Sequence, residues 1–539
     1  MSSTPDLSTA AVWLAVLAAL VPLIKHLWHT STEGKRLPPG PKALPLVGNL
    51  HHLPKRRQFE EFYRWSKQYG PIMYLDMAGQ PFIVLSSHQA AQDLLSRRGA
   101  RYSDRPRRVM CGELVTKGMH MLLRPYDAAY LLHQRMEAPL LGVRAARGYA
   151  PLQDLEARQL LLDVLGGSDA AGEGGVDFAH HIERAMASFI YSLAYGYRLR
   201  TGHEESFGAA KRVQAEFART GVVGAYIVDT LPVLNKLPAF LAPWKREAEE
   251  LYQLEESLHV GNMQRGLKNP GWNFTKHYFN SCPEAKGMPE VEVAFDLGIL
   301  ADAALDTSTV TMEWFVVAWL TSGGRWVARA QELLDNVVGR GRMPQLEDRD
   351  RLAYIEAIVN ETMRWRPVVV AGVPHATKTE DTYMGHKIPA GSIVMGNHYA
   401  IARDESVFGD RPDDFIPERW LAEDGSLKDL PQTGFGFGRR ICSGRNIARN
   451  GLFIHMAKLL WAFDIEVGVS EVTGEREAVD DLAGSEGFVF VPMPFKAVFH
   501  PRGQWARDII EGQGSTHDID HAELLDQAGS DRMAKLDKA

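Results

Sequence analysis

Only three cysteines occur in the 539 residues, Cys111, Cys282 and Cys442. So sparse and odd a set builds no disulfide framework and points to a reducing compartment. There is no C-x-x-C and no histidine pair at zinc spacing, which argues against a structural zinc site. Basic charge is not in excess: 60 Lys plus Arg stand against 67 Asp plus Glu, a net charge of −7 with no basic domain, so nucleic acid is not an expected partner. Internal repeats and low-complexity runs are missing too.

Long uncharged apolar runs are also few, and one of them opens the chain. Leu7 to Ile24 passes 18 positions without a charge between Asp6 and Lys25, about 27 Å as a helix and close to the thickness of a bilayer's hydrocarbon core. A cleaved signal peptide or a core helix would also be apolar. The segment before the run, however, holds Asp6 and neither Lys nor Arg, the reverse of a signal-peptide start. The reading is a transmembrane anchor over 7–24 with a lumenal stub 1–6. Lys25, Lys35 and Arg36 keep the domain after the anchor on the cytosolic side. A basic and proline-rich hinge covers 25–45, where Leu37-Pro38-Pro39-Gly40-Pro41 cannot be helical.

The apolar fraction of 45% suffices for a sizeable core. Tyr74–Met77 and Phe82–Ser86 flank Ala78-Gly79-Gln80-Pro81 and predict a hairpin, after which Ser87 caps a helix. From about 126 to 335, helical patterns alternate with polar or proline-rich breaks, so the body reads as one mostly helical domain. Val291–Leu320 is apolar on almost every side and predicts a helix through the centre. Among its polar exceptions, Asp302, Asp306, Thr307, Ser308 and Thr309 cluster. A buried carboxylate costs several kcal/mol unless paired, so Asp306 beside Thr307 needs a reason. A hydroxyl bonded to its own helix and an acid reaching a surface edge is one; a proton relay is the other.

Cys442 has the most telling surroundings. Glycines at 434, 436 and 438 precede it, Gly444 comes after it, and a helix is predicted from Asn446 to Phe463. The helix N-terminus and Arg440 are both expected to lower the thiol pKa. A lone thiolate can be a nucleophile, a metal ligand or a small buried apolar residue, and on an open ligand face it suits haem iron. Further back, Glu361 and Arg364 share a face of a helix that Pro367 must end. Pro417-Glu418-Arg419-Trp420 lies downstream.

Phe435, Gly438, Arg440, Cys442 and Gly444 fill every specified position of F-x-x-G-x-R-x-C-x-G, and the sequence resembles the cytochrome P450 monooxygenases, microsomal eukaryotic type, from about Pro38 to Pro501. The resemblance implies a mainly α fold with small β-sheets, haem b, and Cys442 as axial iron ligand. It makes Asp306 and Thr307, within Ala303-Ala304-Leu305-Asp306-Thr307-Ser308, the oxygen-activating acid and alcohol. Alanine at 304, where the family favours glycine, alters the oxygen groove. Glu361, Arg364 and Arg419 would lock the loop that carries Cys442. His375 and Arg440 would bind haem propionates. Of the family's W-x-x-x-R helix only Tyr130 and a shifted Arg135 are left, with solvated surface the competing reading for Arg135.

The resemblance further implies a substrate pocket lined by Ala303, Ala304, an apolar strand Val368–Val373 including Val369 and Val370, and the turn Ser485–Phe490 with Phe488. Pro494–Phe499 would be a closing strand. The domain then spans 46–502, and a polar tail, 503–539, is expected to be disordered or loosely helical. The implied activity is oxidation of a hydrophobic small molecule with O2 and electrons from an NADPH-dependent cytochrome P450 reductase, with cytochrome b5 as an additional donor. Arg439, Arg445, Arg449 and Lys458 offer a docking patch. The setting is the endoplasmic reticulum membrane, single-pass with a cytosolic domain, and the texture is that of fungal enzymes of secondary metabolism. Phenol coupling or desaturation at the same haem is the nearest alternative, and a non-catalytic haem-binding protein the more distant one.

Overall fold

The computed structural model describes residues 37–222, 224–470, 472–485 and 487–536. The apolar run 7–24, residues 1–6 and the start of the hinge lie outside the described residues. Among the described residues, no helix is long and apolar enough to cross a membrane. The expected single helical body resolves into two compact units that exchange segments of chain. Of the described residues, the first holds 37–106 with Val370–Val407 and Gly436–Ile441; the second holds those within Arg107–Val369, Phe408–Phe435 and from Cys442 to Leu536. Strand pairing explains the exchange, because partners in one sheet come from distant stretches of sequence.

In the first unit, helix α1 (Gln58–Tyr69) buries Phe59 and Phe62. Strands β1 (Ile72–Met77) and β2 (Gln80–Leu85) form the predicted hairpin. Ala78 and Gly79 both take positive φ, 53° and 88°, the two-residue turn whose twist suits antiparallel strands. Ser87 Oγ accepts the Ala90 N–H at 3.2 Å and caps α2 (His88–Ala91), as the sequence indicates. The later strands are β3 (His375–Ala376), β4 (Asp381–Tyr383), β5 (His386–Ile388) and β6 (Ile393–Gly396). The larger sheet runs β1-β2-β6-β3, with β2 and β6 parallel. Ile83, Leu85, Leu94, Leu95, Val394 and Ile401 form a core with it. The strand expected over Val368–Val373 is a bend and turn. Pro367 and Pro374 lack the N–H a strand interior needs, and Gly372 takes φ 63°; pairing begins only at His375.

The second unit is helical: α3 (Ala128–Leu141), α4 (Ala150–Ala171), α5 (Phe178–Tyr195), α6 (Glu205–Thr220), α7 (Pro243–Lys268), α8 (Glu290–Ser322), α9 (Ala353–Trp365) and α10 (Arg445–Ala462). The central helix α8 packs against α5 and α7, and α10 against α4. Strands β7 (Phe463–Val467) and β8 (Ala497–Pro501) pair antiparallel, the second starting three residues later than expected.

The tail departs further from expectation. It forms α11 (Gln504–Gly512) and α12 (His521–Leu536), which bury Ala506, Ile510, Leu525 and Ala528. Trp505 meets Trp461 edge-on at 4.9 Å. Between the helices, Thr516 takes its N–H to Gln159 Oε1 at 2.7 Å and receives the guanidinium of Arg198. The tail is polar in bulk, yet its apolar residues fall on one face, and that stripe is enough to fold it against α4.

Candidate active site

Along α8, burial is interrupted once. Ala301, Leu305 and Val310 to Trp319 are buried, whereas Ala303 is exposed and Ala304, Asp306, Thr307 and Ser308 are half-buried. The middle of a core helix is therefore open on one side. Thr307 Oγ1 donates to Ala303 O at 3.0 Å, an i to i−4 bond that ties the hydroxyl to its helix and leaves its oxygen free to accept. Asp306 makes no hydrogen bond or ion pair among the described residues. Burial pushes its carboxyl up to about 6, with Glu183 adding to the rise and Lys211 opposing it. Burial likewise raises Asp302 to about 7 and Glu313 to about 8. Three carboxyls on one helix thus exchange protons near neutrality.

The Cys442 loop turns through Gly436 and Gly438, at φ 77° and 60°. A Cβ on Gly438 would lie 2.1 Å from Leu95 O, so only glycine fits. The Cys442 N–H donates to Phe435 O at 2.9 Å, closing the loop, and Arg445, the first residue of α10, donates to Cys442 O at 3.0 Å. Gly444 is the N-cap with an ordinary φ of −79°. The expected fall in thiol pKa is not seen. Burial, the largest influence, pushes the thiol up, and Glu137 adds to the rise. The Gly444 and Arg445 N–H groups pull it down, and so does the charge of Arg445, which takes the part expected of Arg440. The helix end does favour thiolate, but crowding by protein outweighs it. The side chain is nevertheless exposed, so densely surrounded sulphur retains an open face.

Glu361, Arg364 and Arg419 meet. Glu361, fully buried, accepts both Nε and Nη2 of Arg364 at 2.7 and 2.8 Å. It also accepts Arg419 Nε at 3.0 Å, Trp420 Nε1 at 2.9 Å and the Ile416 N–H at 2.8 Å. Arg364 reaches on to Pro412 O and Asp414 O. One carboxylate thereby fastens 412–420 to α9.

On α3, Tyr130 is buried and Arg135 is exposed, so Arg135 lies at the surface. The residue that turns inward is His133, which sequence reasoning missed. Its Nδ1 contacts Asp296 Oδ1 at 2.9 Å and its Nε2 contacts Glu292 Oε1 at 3.0 Å, both on α8. These carboxylates raise the imidazole's pKa against the opposing pull of burial. The signal lay in Glu292 and Asp296, four apart on a helix otherwise apolar at that face.

The proposed basic patch loses two of its four members. Lys458 is buried on Asp154 at 2.6 Å, and Arg449 is engaged by Glu356.

In the first unit, Arg105, His375 and Arg440 bond to two stretches of backbone, Tyr102–Ser103 and Val373–Pro374. Arg105 Nη1 donates to Val373 O and Pro374 O at 2.9 and 2.8 Å. His375 Nδ1 meets Tyr102 O at 2.7 Å, and Arg440 Nε donates to Ser103 O at 2.8 Å. Burial and the two guanidinium charges hold His375 well below the usual imidazole range. A buried cationic concentration of this kind suits an anion. Arg105 carried no distinguishing pattern in the sequence.

Of the expected pocket residues, Val369 is half-buried, Val370 buried and Phe488 exposed. The last turn is held by Phe490, whose N–H donates to Val368 O at 2.8 Å and whose carbonyl accepts Trp314 Nε1 at 2.7 Å.

Comparison with known proteins agrees with these observations. The cytochrome P450 family model matches residues 38–495. Cytochrome P450 monooxygenase aneD of Aspergillus aculeatus is 41% identical over 492 residues, covering 91% of this chain and 93% of that protein. Cytochrome P450 monooxygenase FrzL of a Cladobotryum species is 34% identical and covers 96% of this chain and 97% of its own. Cytochrome P450 monooxygenase drtD of Aspergillus calidoustus is 36% identical over 466 residues, 86% of each chain. An open thiol at the head of α10, an acid and alcohol on the open stretch of α8 and this likeness over nine-tenths of the length together mean that the chain belongs to the cytochrome P450 family and is a haem-thiolate monooxygenase.

Proposed function

We propose that the enzyme hydroxylates, or otherwise oxidises, a hydrophobic small molecule in fungal secondary metabolism, with electrons from an NADPH-dependent cytochrome P450 reductase. The observation that carries the reading is the open stretch of α8: a core helix exposes Ala303 and sets Asp306 and Thr307 beside it.

The residues fit the cofactor that the family requires. Cys442 offers sulphur on an open face, and Arg105, His375 and Arg440 supply the cationic and hydrogen-bonding character that two propionates need. In the second unit Cys442 would hold the iron; in the first, Arg105, His375 and Arg440 have the chemistry that propionates require. When bound, haem supplies oxygen activation, and the thiolate promotes O–O cleavage.

The chain's own part is to deliver protons and exclude bulk water. Asp306, with its pKa raised to about 6, is a proton donor matched to neutral pH. Thr307 Oγ1 donates to Ala303 O and keeps lone pairs that can accept a hydrogen bond from the acid side; release of the bond to Ala303 O lets it pass its own proton forward. Ala303, Ala304 and Phe488 present apolar surface, which favours a hydrophobic substrate. Alanine at 304 brings a methyl group to the open stretch and narrows it.

Membrane attachment through 7–24, with the domain on the cytosolic face of the endoplasmic reticulum, is part of the same proposal. Carbonate extraction of the full chain from microsomes tests it: an anchored protein stays in the pellet.

The central test is the difference spectrum of reduced, CO-treated protein, wild type against Cys442→Ser. The wild type is expected to give the red-shifted Soret band of thiolate-ligated haem and the variant to lose it. NADPH consumption with added reductase then separates an oxidising enzyme from a haem carrier. A wild type without the thiolate band would sink the proposal.

A further inference from the structure

One turn before Asp306, the same helix carries a polar cluster that the relay does not use. His259 on α7 is buried to 1% exposure, and neither ring nitrogen has a hydrogen-bond partner. Glu255 Oε1 and Asp302 Oδ2 stand 3.6 and 3.8 Å from its Nε2, within ion-pair range and beyond a good hydrogen bond. The ring is wedged against α8: a Cβ on Gly298 would lie 2.0 Å from His259 Nδ1, and the Phe295 ring meets the imidazole edge-on at 5.0 Å. Gln214 of α6 donates to the backbone oxygen of Asp302.

A second histidine joins them from the segment before α3. Met119 packs with Phe295 and Ile299 of α8, which places His120 beside that helix. His120 stacks on Phe217 of α6, centroids 4.3 Å apart and planes 14° from parallel. Its Nδ1 accepts the Leu122 N–H at 3.3 Å. Burial holds this ring neutral, its pKa down at about 3, with His259 contributing. A neutral ring whose Nδ1 accepts must carry its proton on Nε2. His120 and Asp302 are both half-buried, the Asp302 side chain at 17% exposure.

We propose that His120 and Asp302, backed by His259, form a polar subsite of the substrate chamber that takes a group able both to accept and to donate a hydrogen bond, a hydroxyl or a secondary amide on an otherwise apolar substrate. His120 Nε2–H supplies the donor and the Asp302 carboxyl the acceptor, while the facing His259 favours the ionised carboxyl against the opposing effect of burial. Phe217, Phe295 and Ile299 make the surrounding wall apolar, so these polar atoms select for orientation. The subsite rests on the proposed role of the open stretch of α8, since Asp302 lies one residue from Ala303 and one turn from Asp306.

The test uses haem-loaded protein and two series of probes, 1-alkylimidazoles of four to ten carbons and their ω-hydroxy counterparts. The imidazole nitrogen binds iron and shifts the Soret band, and the chain end explores the chamber. Wild type is expected to bind one hydroxylated member about tenfold more tightly than the alkyl compound of equal length, the value of one hydrogen bond to a charged partner. H120F, which keeps the stack on Phe217, and D302L are expected to lose that preference while binding the alkyl series as wild type does. H120F decides alone if D302L does not fold. Alkyl chains binding better at every length in wild type, or a hydroxyl preference that persists in the variants, would overturn the subsite and leave the oxidase reading intact. If no imidazole shifts the Soret band, the haem reading fails and the subsite with it.

Discussion

Two carboxylates on neighbouring helices of one unit, one fully buried and one half-buried, have opposite surroundings. Glu361 on α9 is met by two arginines, an indole N–H and a backbone N–H. Asp306 on α8 has only the charge of Lys211 to set against burial, and Glu183 adds to the effect of burial, so its proton is exchangeable near neutral pH. Full satisfaction makes a carboxylate a fastener; leaving it unsatisfied makes it an acid. The unit uses the fastener to tie 412–420 to α9 and sets the acid in the opening of the central helix, so rigidity and reactivity are assigned to different residues of the same chemical type.

Breaking the fastener has the largest expected effect. Glu361→Gln leaves two buried guanidinium groups facing a neutral amide, a loss of about 3–5 kcal/mol. Urea unfolding measures the loss, and a smaller thiolate CO band should accompany it. A variant as stable as wild type would mean that the cluster does not hold 412–420.

Removing the acid should spare the fold and cost the reaction. Asp306→Asn is expected to lower product formation about a hundredfold with haem content unchanged. Stability should move the other way. The folded pKa, about 6, exceeds the unfolded value, so Asp306 favours folding below the unfolded pKa, and that contribution is lost as pH rises to 6. Above 6 the folded state bears an unpaired charge. The asparagine variant should therefore be more stable than wild type at pH 7.5, by about 1–2 kcal/mol after allowance for partial exposure. The difference should vanish near pH 4. Thermal melts at the two pH values check the sign, and a constant difference would show that Asp306 does not titrate between them.

Leu525→Ala, in a fully buried position of α12, is expected to cost about 2 kcal/mol, measurable by unfolding with the CO band unchanged. A loose tail would give no change. Arg135→Ala should fall within about 0.5 kcal/mol of wild type with an unaltered haem spectrum, which separates the surface arginine from His133 close by on the same helix.

The residues legible in the sequence were those whose chemistry depends on local spacing. Glu361 and Arg364 share a helix face, Gly438 and Cys442 share a loop, and Asp306 and Thr307 interrupt an apolar run. Residues whose partners lie far away in the chain left no local trace. His133 is explained by Glu292 and Asp296, and Arg105 by Val373 and Pro374. His259 is explained by a gap at Gly298 and by Asp302. The failed strand at Val368–Val373 shows another limit, since apolar β-branched residues set a preference that two prolines and a left-handed glycine override. The tail misled because average polarity hides a stripe: Ala506, Ile510, Leu525 and Ala528 are few, but they lie on one side.

That tail also bears on how the protein is made. Arg198 and Thr516 are partners 318 positions apart, and Gln159 and Thr516 are 357 apart. On the ribosome, α4 and α5 emerge hundreds of residues before the segment that completes their polar contacts. The helical unit therefore cannot reach its final form while its chain is still being synthesised through the cysteine loop, and a growing polypeptide must hold that surface, with the buried charges of Glu156 and Arg184 beneath it, until α11 and α12 arrive to close it.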